Sequence, residues 1–248
     1  MRILGVIPAR FASTRFPGKP LIDINGKSMI RRVYEQACKA SALSKVVIAT
    51  DDERILEHVN QFGGDAVMTS DLHQSGTDRC AEVAGKFPEF DVIVNIQGDE
   101  PFIDPEQINT LAACFDNTDS QLATLVKKIS SSEELFNSNT PKVVLNNLFE
   151  AVYFSRNTLP FIRNMEPENW LDAHTFYKHI GIYGYGRETL LEITLLPVSN
   201  LEKAEALEQL RWIEHGYKIK AAETNQESMA IDTPEDLVRA IAYSTRQT

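Results

Sequence analysis

The feature that most constrains this fold is an apolar run that leads directly into a loop of cations. Residues Ile3 to Ile7 have the length and β-branched character of a buried strand, and Pro8 is expected to end it. The loop that follows contains Arg10, Arg15 and Lys19 and no acidic residue. A strand that opens into a small-residue basic loop is how α/β sheets bind anions at their carboxyl edge. The sequence therefore predicts a polyphosphate site there.

A simpler interpretation is a solvated loop whose long side chains stay in water. It is less favoured because a chain of net charge -10 has little reason to gather uncompensated cations beside a strand end. The loop also lacks the two common phosphate-binding patterns. Leu21 stands where a Walker loop needs its first glycine, and no G-x-G-x-x-G follows Gly5. Phosphates would therefore be held by side-chain cations as well as by backbone N–H groups.

Strand and helix patterns alternate through the first half of the chain. Short apolar runs predict strands over Lys45–Thr50, Ala66–Thr69 and Asp91–Ile96, and apolar residues at helical spacing predict a helix over Ser28–Ala40. The pair Asp51-Asp52 is a helix N-cap or a metal site, and the cap is favoured. This alternation predicts an α/β fold with a doubly wound, mostly parallel central sheet.

The loop from His73 to Arg79 leads into a helix that begins near Thr77. It is consistent with a plain helix start, in which Ser75 or Thr77 is the cap. The functional interpretation is that Gly76 lets the backbone approach a flat base while Ser75 and Arg79 hydrogen-bond its edge. The residues alone leave both interpretations open.

Polar residues follow the predicted strand Asp91–Ile96 directly, beginning with Gln97 and Asp99. A doubly wound sheet places ligand-facing carboxylates at this point. Magnesium takes few protein carboxylates and fills its remaining positions with water and phosphate, so one Asp here and a second from elsewhere suit it. Without a phosphate loop nearby, Asp99 would be interpreted as a turn residue.

The alternation breaks at Gln121. A strand is predicted over Leu122–Lys127, followed by an antiparallel hairpin of Lys142–Leu145 and Ala151–Ser155. We interpret residues from about 121 to 178 as an antiparallel subdomain inserted into a single domain that spans residues 1–248. The last part of the chain is predicted to form, in order, a strand-like run over His179–Tyr185, a helix over Leu201–Glu214, a late strand over Lys218–Ala222 and a final helix capped by Thr233.

Several motifs together resemble the signature of the sugar cytidylyltransferases, and most closely the branch that acts on the acidic sugar 3-deoxy-manno-octulosonate (KDO). They cover nearly the whole chain in order: Pro8-Ala9-Arg10, Ser13-Thr14-Arg15, Pro17-Gly18-Lys19-Pro20, His73 to Arg79, Gln97 to Pro101, His179 to Tyr185, Leu207 to Arg211 and Asp232 to Leu237. One departure is Gly186 before Arg187, where the family usually has Arg, and it leaves the role of Arg187 open.

The resemblance implies a nucleotide-diphospho-sugar transferase-like fold and a magnesium-dependent transfer of CMP from CTP to KDO, for lipopolysaccharide. It implies a homodimer formed through the inserted subdomain, which the apolar residues Val143, Leu145, Val152 and Phe154 would allow. Asp232, which lies outside the Thr233 cap, becomes the second metal carboxylate beside Asp99. The residues implied in catalysis are Arg10, Arg15, Lys19 and Asp99; those implied in nucleotide binding are Pro8, Ala9, Arg10, Arg15, Lys19, Ser75, Gly76, Thr77, Arg79 and Gln97; those implied in sugar binding are Arg156, His179, Tyr183, Glu208 and Gln209.

Composition limits the setting in which this chemistry takes place. A pI near 5.0 argues against nucleic acid as the main partner. The chain has no apolar run of membrane-spanning length, and its first strand leaves no room for a signal peptide, so we expect a cytoplasmic protein without a membrane partner. The three cysteines suit reduced core thiols better than disulfides or a metal cluster.

Other functions remain open at this point. The same chemistry on another acidic sugar, such as 8-amino-KDO, is the nearest alternative. A nucleotide-sensing protein that keeps the fold without turnover is a second one, although Lys19, Asp99 and Asp232 are all present. A dehydrogenase is disfavoured by the missing glycine fingerprint.

Overall fold

The structure is a computed structural model that describes residues 1–12, 16–116 and 120–246. The chain divides into two compact units. Unit 1 comprises residues 1–112 and 227–248, and unit 2 comprises residues 113–226. Unit 2 thus contains the segment predicted as an insertion and runs on to residue 226.

Unit 1 is built on a parallel sheet, in the order β6-β1-β4-β5. Every residue of β1 except Pro8, and every residue of β4 except Lys45, is buried, as expected for a parallel sheet covered on both faces. Two further short strands, β2 and β3, pair with each other as an antiparallel ribbon. The strands of unit 1 are β1 (Ile3–Ala9), β2 (Asp23–Ile24), β3 (Lys27–Ser28), β4 (Lys45–Thr50), β5 (Ala66–Met68) and β6 (Val92–Asn95).

The prediction that Pro8 ends the first strand is wrong, because β1 continues to Ala9. The carbonyl of Val6 accepts from the N–H of Ile96, so the backbone N–H and C=O positions of even-numbered β1 residues point toward β6. Pairing with β6 ends at Val6 and Asn95. The missing N–H of Pro8 therefore falls where no neighbouring ladder needs it.

The helices of unit 1 begin at the caps that the sequence indicates. Ser28 and Ser75 cap their helices through side-chain oxygens, and Asp52 accepts from the N–H of Arg54, which confirms its prediction as an N-cap. The first four helices are α1 (Met29–Ala37), α2 (Glu53–Gln61), α3 (Gly76–Lys86) and α4 (Pro105–Ala113).

Unit 2 has a mixed sheet. Strand β10 runs antiparallel to β7, and β11 runs parallel to β7. The predicted hairpin is confirmed at its predicted bounds, with Val143 opposite Phe154. The strands of unit 2 are β7 (Leu122–Lys128), β8 (Lys142–Leu145), β9 (Ala151–Ser155), β10 (Tyr177–Gly186) and β11 (Ile219–Glu223).

The predicted helix Leu201–Glu214 is wrong as a single element. Ala206 has φ 51°, a left-handed conformation that ends a helix, so two short helices form on either side of it. Arg211 then pairs with Glu202 at 2.6 Å, across the break. The helices of unit 2 are α5 (Ser132–Phe136), α6 (Trp170–Ala173), α7 (Arg187–Ile193), α8 (Asn200–Glu205) and α9 (Gln209–Glu214).

Residues 163–178 are a polar excursion without a clear apolar period in the sequence, which left their role open. In the structure they contribute to a small apolar cluster. Trp170 is 5% exposed and stacks on Phe176 with ring centroids 6.3 Å apart. Ile129 and Leu135 complete this cluster. The excursion therefore has a packing role that its weak periodicity did not reveal.

The final helix, α10 (Pro234–Thr245), returns to unit 1. Thr233 and Asp236 form a capping box at its start, as predicted. Ala240 on this helix packs in a cluster with Ile24, Met29 and Ile231. Among the described residues, no helix is long and apolar enough to cross a membrane.

Candidate functional site

Lys19 is positioned by a tight reversal of the chain after β1. Gly18 has φ 72°, and its N–H donates to the carbonyl of Phe11 at 3.0 Å. A side chain there would be strained by the backbone and would meet the Phe11 ring at 3.2 Å, so glycine is required. A 3-10 turn over Lys19–Leu21 follows immediately. Arg15, predicted to bind phosphate, lies outside the described residues.

Asp99 reaches this lysine because Gly98 permits a close approach of two backbones. A Cβ atom on Gly98 would lie 2.5 Å from the carbonyl oxygen of Pro8, which no side chain tolerates. The chain leaving β6 therefore passes directly against the end of β1. The Nζ atom of Lys19 donates to Oδ2 of Asp99 at 2.8 Å.

Asp232 is brought to the same lysine from the far end of the sequence. The N–H of Ile231 donates to the carbonyl of Asp99 at 3.0 Å, and Ile231 is fully buried. The N–H of Asp232 donates to Asp236 at 3.0 Å in the first turn of α10. With its backbone held on both sides, Asp232 places Oδ1 at 3.2 Å from Nζ of Lys19.

The cluster is therefore one ammonium between two carboxylates, of net charge -1 if all three are ionised. The Lys19 side chain is 15% exposed, and those of Asp99 and Asp232 are 28% and 48% exposed, so both carboxylates remain accessible. Among the described residues, no group of three or more His, Cys, Asp or Glu could hold a metal ion. A pair of accessible carboxylates fits magnesium, which keeps several water or phosphate ligands, and does not fit a closed structural zinc site.

A cavity of about 400 Å³ lies beside this cluster, within unit 1. Its volume falls within the usual range for small-molecule sites, roughly 300–1,000 Å³. Of the residues predicted for nucleotide binding or metal, the cavity is lined by Pro8, Arg10, Lys19, Gln97, Asp99 and Asp232. Ala9 is buried in β1 and has only backbone to offer. The structure thus brings residues that are far apart in the sequence to one cavity.

The predicted base-binding loop divides into accessible and buried residues. Ser75 caps α3, and a Cβ atom on Gly76 would lie 3.5 Å from the Pro8 ring, so this loop adjoins the end of β1. Thr77 is 2% exposed. Arg79 is 1% exposed and donates to Asp51 at 2.9 Å and to the hydroxyl of Thr69. Its guanidinium therefore has partners within the chain, whereas a contact with the base was predicted for it.

Three of the predicted sugar-binding residues lie together in unit 2. The rings of His179 and Tyr183 are 5.1 Å apart, and Tyr183 meets the edge of Trp212 at 5.2 Å. Desolvation by these surroundings lowers the pKa of His179 to about 3, while its Nε2 lies 2.9 Å from the Thr124 hydroxyl. Burial, then the neighbouring Tyr185 and Glu208, raise the pKa of Tyr183. Both groups are therefore neutral at physiological pH.

Gln209 adds an unsatisfied amide to unit 2. It is 3% exposed, and its Nε2 has no hydrogen-bond partner among the described residues. The Nε of Arg187 is buried without a partner in the same sense, although its NH1 donates to Glu188. Buried polar groups are normally satisfied, so these atoms mark places where a ligand can supply the missing partner.

Arg156 differs from its predicted role. Its Nε donates to the carbonyl of Glu205 at 2.7 Å. NH1 donates to the carbonyl of Ser138 and NH2 to that of Ala206, both at 3.3 Å. The guanidinium is therefore already hydrogen-bonded to backbone acceptors, whereas the resemblance implied that it binds the sugar. Glu208 stands as the N-cap of α9.

Glu100, which follows Asp99, was not predicted as a functional residue. It is 7% exposed, and desolvation followed by the charge of Asp99 raises its pKa to about 7, against a smaller opposing effect of Ser228. A perturbed carboxyl group beside a cavity is a candidate for function. Its position next to Asp99 was the only signal in the sequence, and burial could not be inferred from it.

Comparison with known proteins is consistent with this geometry. The sequence model of the cytidylyltransferase family matches residues 4–219. A protein of Parabacteroides distasonis named 3-deoxy-manno-octulosonate cytidylyltransferase is 59% identical over 98% of each chain. A protein of the same name from Bacteroides thetaiotaomicron is 57% identical over 97% of each.

A solved structure is also similar over the whole length. It is that of a CMP:2-keto-3-deoxy-manno-octonic acid synthetase complexed with CTP, 41% identical, with a TM-score of 0.93 and full coverage of both chains. At that similarity the likeness covers sequence and fold together.

Proposed function

This chain belongs to the cytidylyltransferase family, among the 3-deoxy-manno-octulosonate cytidylyltransferases, and we propose that it transfers CMP from CTP to KDO with release of pyrophosphate. The single observation that carries this proposal is the contact of Lys19 with Asp99 and Asp232 beside the unit 1 cavity. Charge neutralisation and alignment supply most of the catalysis in such transfers, so this is the chemistry that the cluster can perform.

In this proposal Lys19 and Arg10 hold the triphosphate within the cavity, and Arg15 adds a third cation. Asp99 and Asp232 hold magnesium. When bound, the ion would neutralise charge that develops on the phosphate oxygens. Lys19 already draws the two carboxylates together at 2.8 and 3.2 Å, so the ligand pair is prearranged. The half-buried position of Lys19 strengthens its attraction for phosphate relative to a fully solvated ammonium.

The base is assigned to the loop that ends at Ser75 and Gly76. Gly76 brings backbone close to the end of β1, and backbone groups there can hydrogen-bond a cytosine edge. Arg79 contributes by linking Asp51 to Thr69, the residue that precedes residues 70–75. Gln97 lines the cavity and supplies a polar side chain as well.

The sugar is assigned to His179, Tyr183, Glu208 and Gln209 in unit 2. Neutral His179 and Tyr183 suit hydroxyl recognition, and the unpartnered Nε2 of Gln209 is a donor that a sugar oxygen can satisfy. Arg156 acts indirectly, by tying β9 to the segment at Glu205 and Ala206 that precedes α9.

We propose that the active assembly is a homodimer. Burial favours different residues for its interface from some of those suggested by the sequence. Val143 and Phe154 are 3% and 0% exposed, so they serve the core of their own chain. Val152, Leu148 and Phe149 remain 53%, 64% and 40% exposed on and beside the hairpin. These three residues support a dimer surface because exposed apolar groups in one region favour association.

A cytoplasmic setting and a product used for lipopolysaccharide are part of the same proposal. The cysteines Cys38, Cys80 and Cys114 are free thiols, which suits a reducing compartment. Location in cell fractions would test the first point.

The test of the reaction is pyrophosphate release with CTP, magnesium and a panel of acidic sugars. We expect release with KDO and little release with N-acetylneuraminate. Faster turnover with 8-amino-KDO would move the assignment to that sugar. No release with any sugar would contradict the proposal and favour a nucleotide-binding protein without turnover.

A further inference from the structure

The segment of residues 70–75, here called loop 70–75, connects β5 to the base-binding Ser75 and Gly76. Before it, Thr69 is tied to β4, because its N–H and its hydroxyl both donate to the carbonyl of Thr50 at 2.8 and 3.1 Å. At its other end, Ser75 and Asp78 form the capping box of α3. Between these anchors Asp71, Leu72 and Gln74 are exposed, and Leu72 is 78% exposed. Packing alone therefore does not fix the conformation of this loop.

Glu82, on α3, supplies the hydrogen bonds that packing does not. Its Oε2 accepts from the N–H of Ser70 at 2.8 Å and from Nε2 of His73 at 2.6 Å. Its Oε1 lies 2.7 Å from Nζ of Lys86, one helical turn away, and that ammonium also donates to the carbonyl of Met68 at 2.6 Å. One carboxylate thus joins both halves of the loop to a rigid helix.

The charge on this carboxylate is maintained by its partners. Burial raises the pKa of Glu82, but hydrogen bonds from Lys86, Ser70 and His73 outweigh it and lower the pKa to about 2. The group is ionised at all pH values near neutrality. Hydrogen bonds to an ionised acceptor are stronger than neutral ones, so they can hold an otherwise exposed loop.

The consequence concerns the nucleotide, and it rests on the function proposed above. The loop leads directly into Ser75 and Gly76, and Gly76 lies against Pro8 at the end of β1. A loop ordered before the ligand arrives spares the binding step the cost of ordering it. Residues that shape the loop therefore affect nucleotide affinity without touching the nucleotide.

We propose that Glu82 is a positioning residue for nucleotide recognition, which holds loop 70–75 in the conformation that presents Ser75 and Gly76 to the cytosine base. His73 is its partner in this role, and neither residue contacts the reacting atoms. Lys86 pairs with Oε1 of the carboxylate, whereas Ser70 and His73 bond to Oε2.

The test compares Glu82→Ala and Glu82→Gln with the matched control Lys86→Gln. Glu82→Ala is expected to raise the KM for CTP about tenfold, in keeping with the loss of one or two charged hydrogen bonds, while kcat and the KM for KDO stay within about twofold. Glu82→Gln keeps a neutral acceptor for Ser70 and should show a smaller rise. Lys86→Gln should leave the KM for CTP within about twofold of the parent chain, because Oε2 keeps both of its loop partners.

Hydrogen exchange measured without substrates tests the loop independently of the reaction. In Glu82→Ala the amides of residues 70–75 should exchange faster, while those of β1 and β6 should keep their rates. Unchanged exchange in the loop, or an unchanged KM for CTP in a chain that turns over, would overturn the role of Glu82. Failure of the parent chain to release pyrophosphate would instead overturn the proposed function, so the two failures are distinguishable.

Discussion

The Nζ atom of Lys19 lies 2.8 Å from Oδ2 of Asp99, although 80 residues separate the two in sequence. The contact requires two glycines. Gly18 reverses the chain after β1, and Gly98 brings the segment after β6 within reach. The catalytic proposal therefore depends on backbone features that are visible only when both loops are seen together.

Lys19→Met tests the charge at this contact. The substitution keeps the length of the side chain and removes the ammonium, so we expect the barrier to rise by about 2–4 kcal/mol, as for the loss of a comparable preorganised group. Steady-state kinetics with CTP and KDO varied would measure it. Lys27→Met is the matched control, because Lys27 pairs with Glu35 away from the cavity; equal losses in both variants would contradict the assignment of Lys19.

Asp99→Asn and Asp232→Asn test the metal ligands. Each should raise the magnesium concentration needed for half-maximal rate, and the double variant should be little worse than either single one, because both residues act through one ion. Glu106→Gln, a change at a carboxylate on α4 outside the cavity lining, is the control. Losses that add in the double variant would point to two independent roles.

Gln209→Leu separates a binding role from a packing role. An unsatisfied buried amide costs about 1–3 kcal/mol, so its removal should raise the unfolding temperature. If Nε2 binds the sugar, the same variant should raise the KM for KDO and leave the KM for CTP unchanged. Gln226→Leu, at an exposed position, serves as the control. A more stable protein with unaltered sugar kinetics would remove Gln209 from the sugar site.

Glu100 predicts a pH dependence of stability. Its pKa is raised from 4.5 to about 7 in the folded chain, so the folded state binds more protons between these values, and stability falls as pH rises through that window. The loss should approach roughly 3 kcal/mol by pH 7. Glu100→Gln should flatten this dependence and be the more stable form above pH 7. Urea unfolding without magnesium would measure it, and parallel curves for the two proteins would contradict the burial argument.

Much of the fold was predictable because local patterns determine it. The strand Lys45–Thr50, the hairpin of β8 and β9, and the Thr233 cap lie where the sequence indicated. The break within residues 201–214 was not predictable. It lies at Ala206, which has a left-handed conformation, and no glycine or proline in that segment signals it.

For the candidate site, the sequence indicated residues that the structure brings together, but it did not indicate their contacts; the roles of these residues stay predictions. Asp99 and Asp232, which the resemblance pairs as metal ligands, both contact Lys19. The loop pattern predicted a ligand contact for Arg79, and the resemblance predicted one for Arg156. Their partners are Asp51 and Thr69 for the first and backbone carbonyls for the second. A guanidinium binds a ligand or a neighbouring acceptor equally well, and only tertiary structure decides between them.

The most direct test of the central claim is the fate of the α-phosphorus of CTP. With CTP labelled at that atom, magnesium and KDO, we expect the label to appear in a CMP-sugar and unlabelled pyrophosphate to form in equal amount. Label recovered as free CMP without a sugar nucleotide, or in pyrophosphate, or no turnover at all, would contradict it.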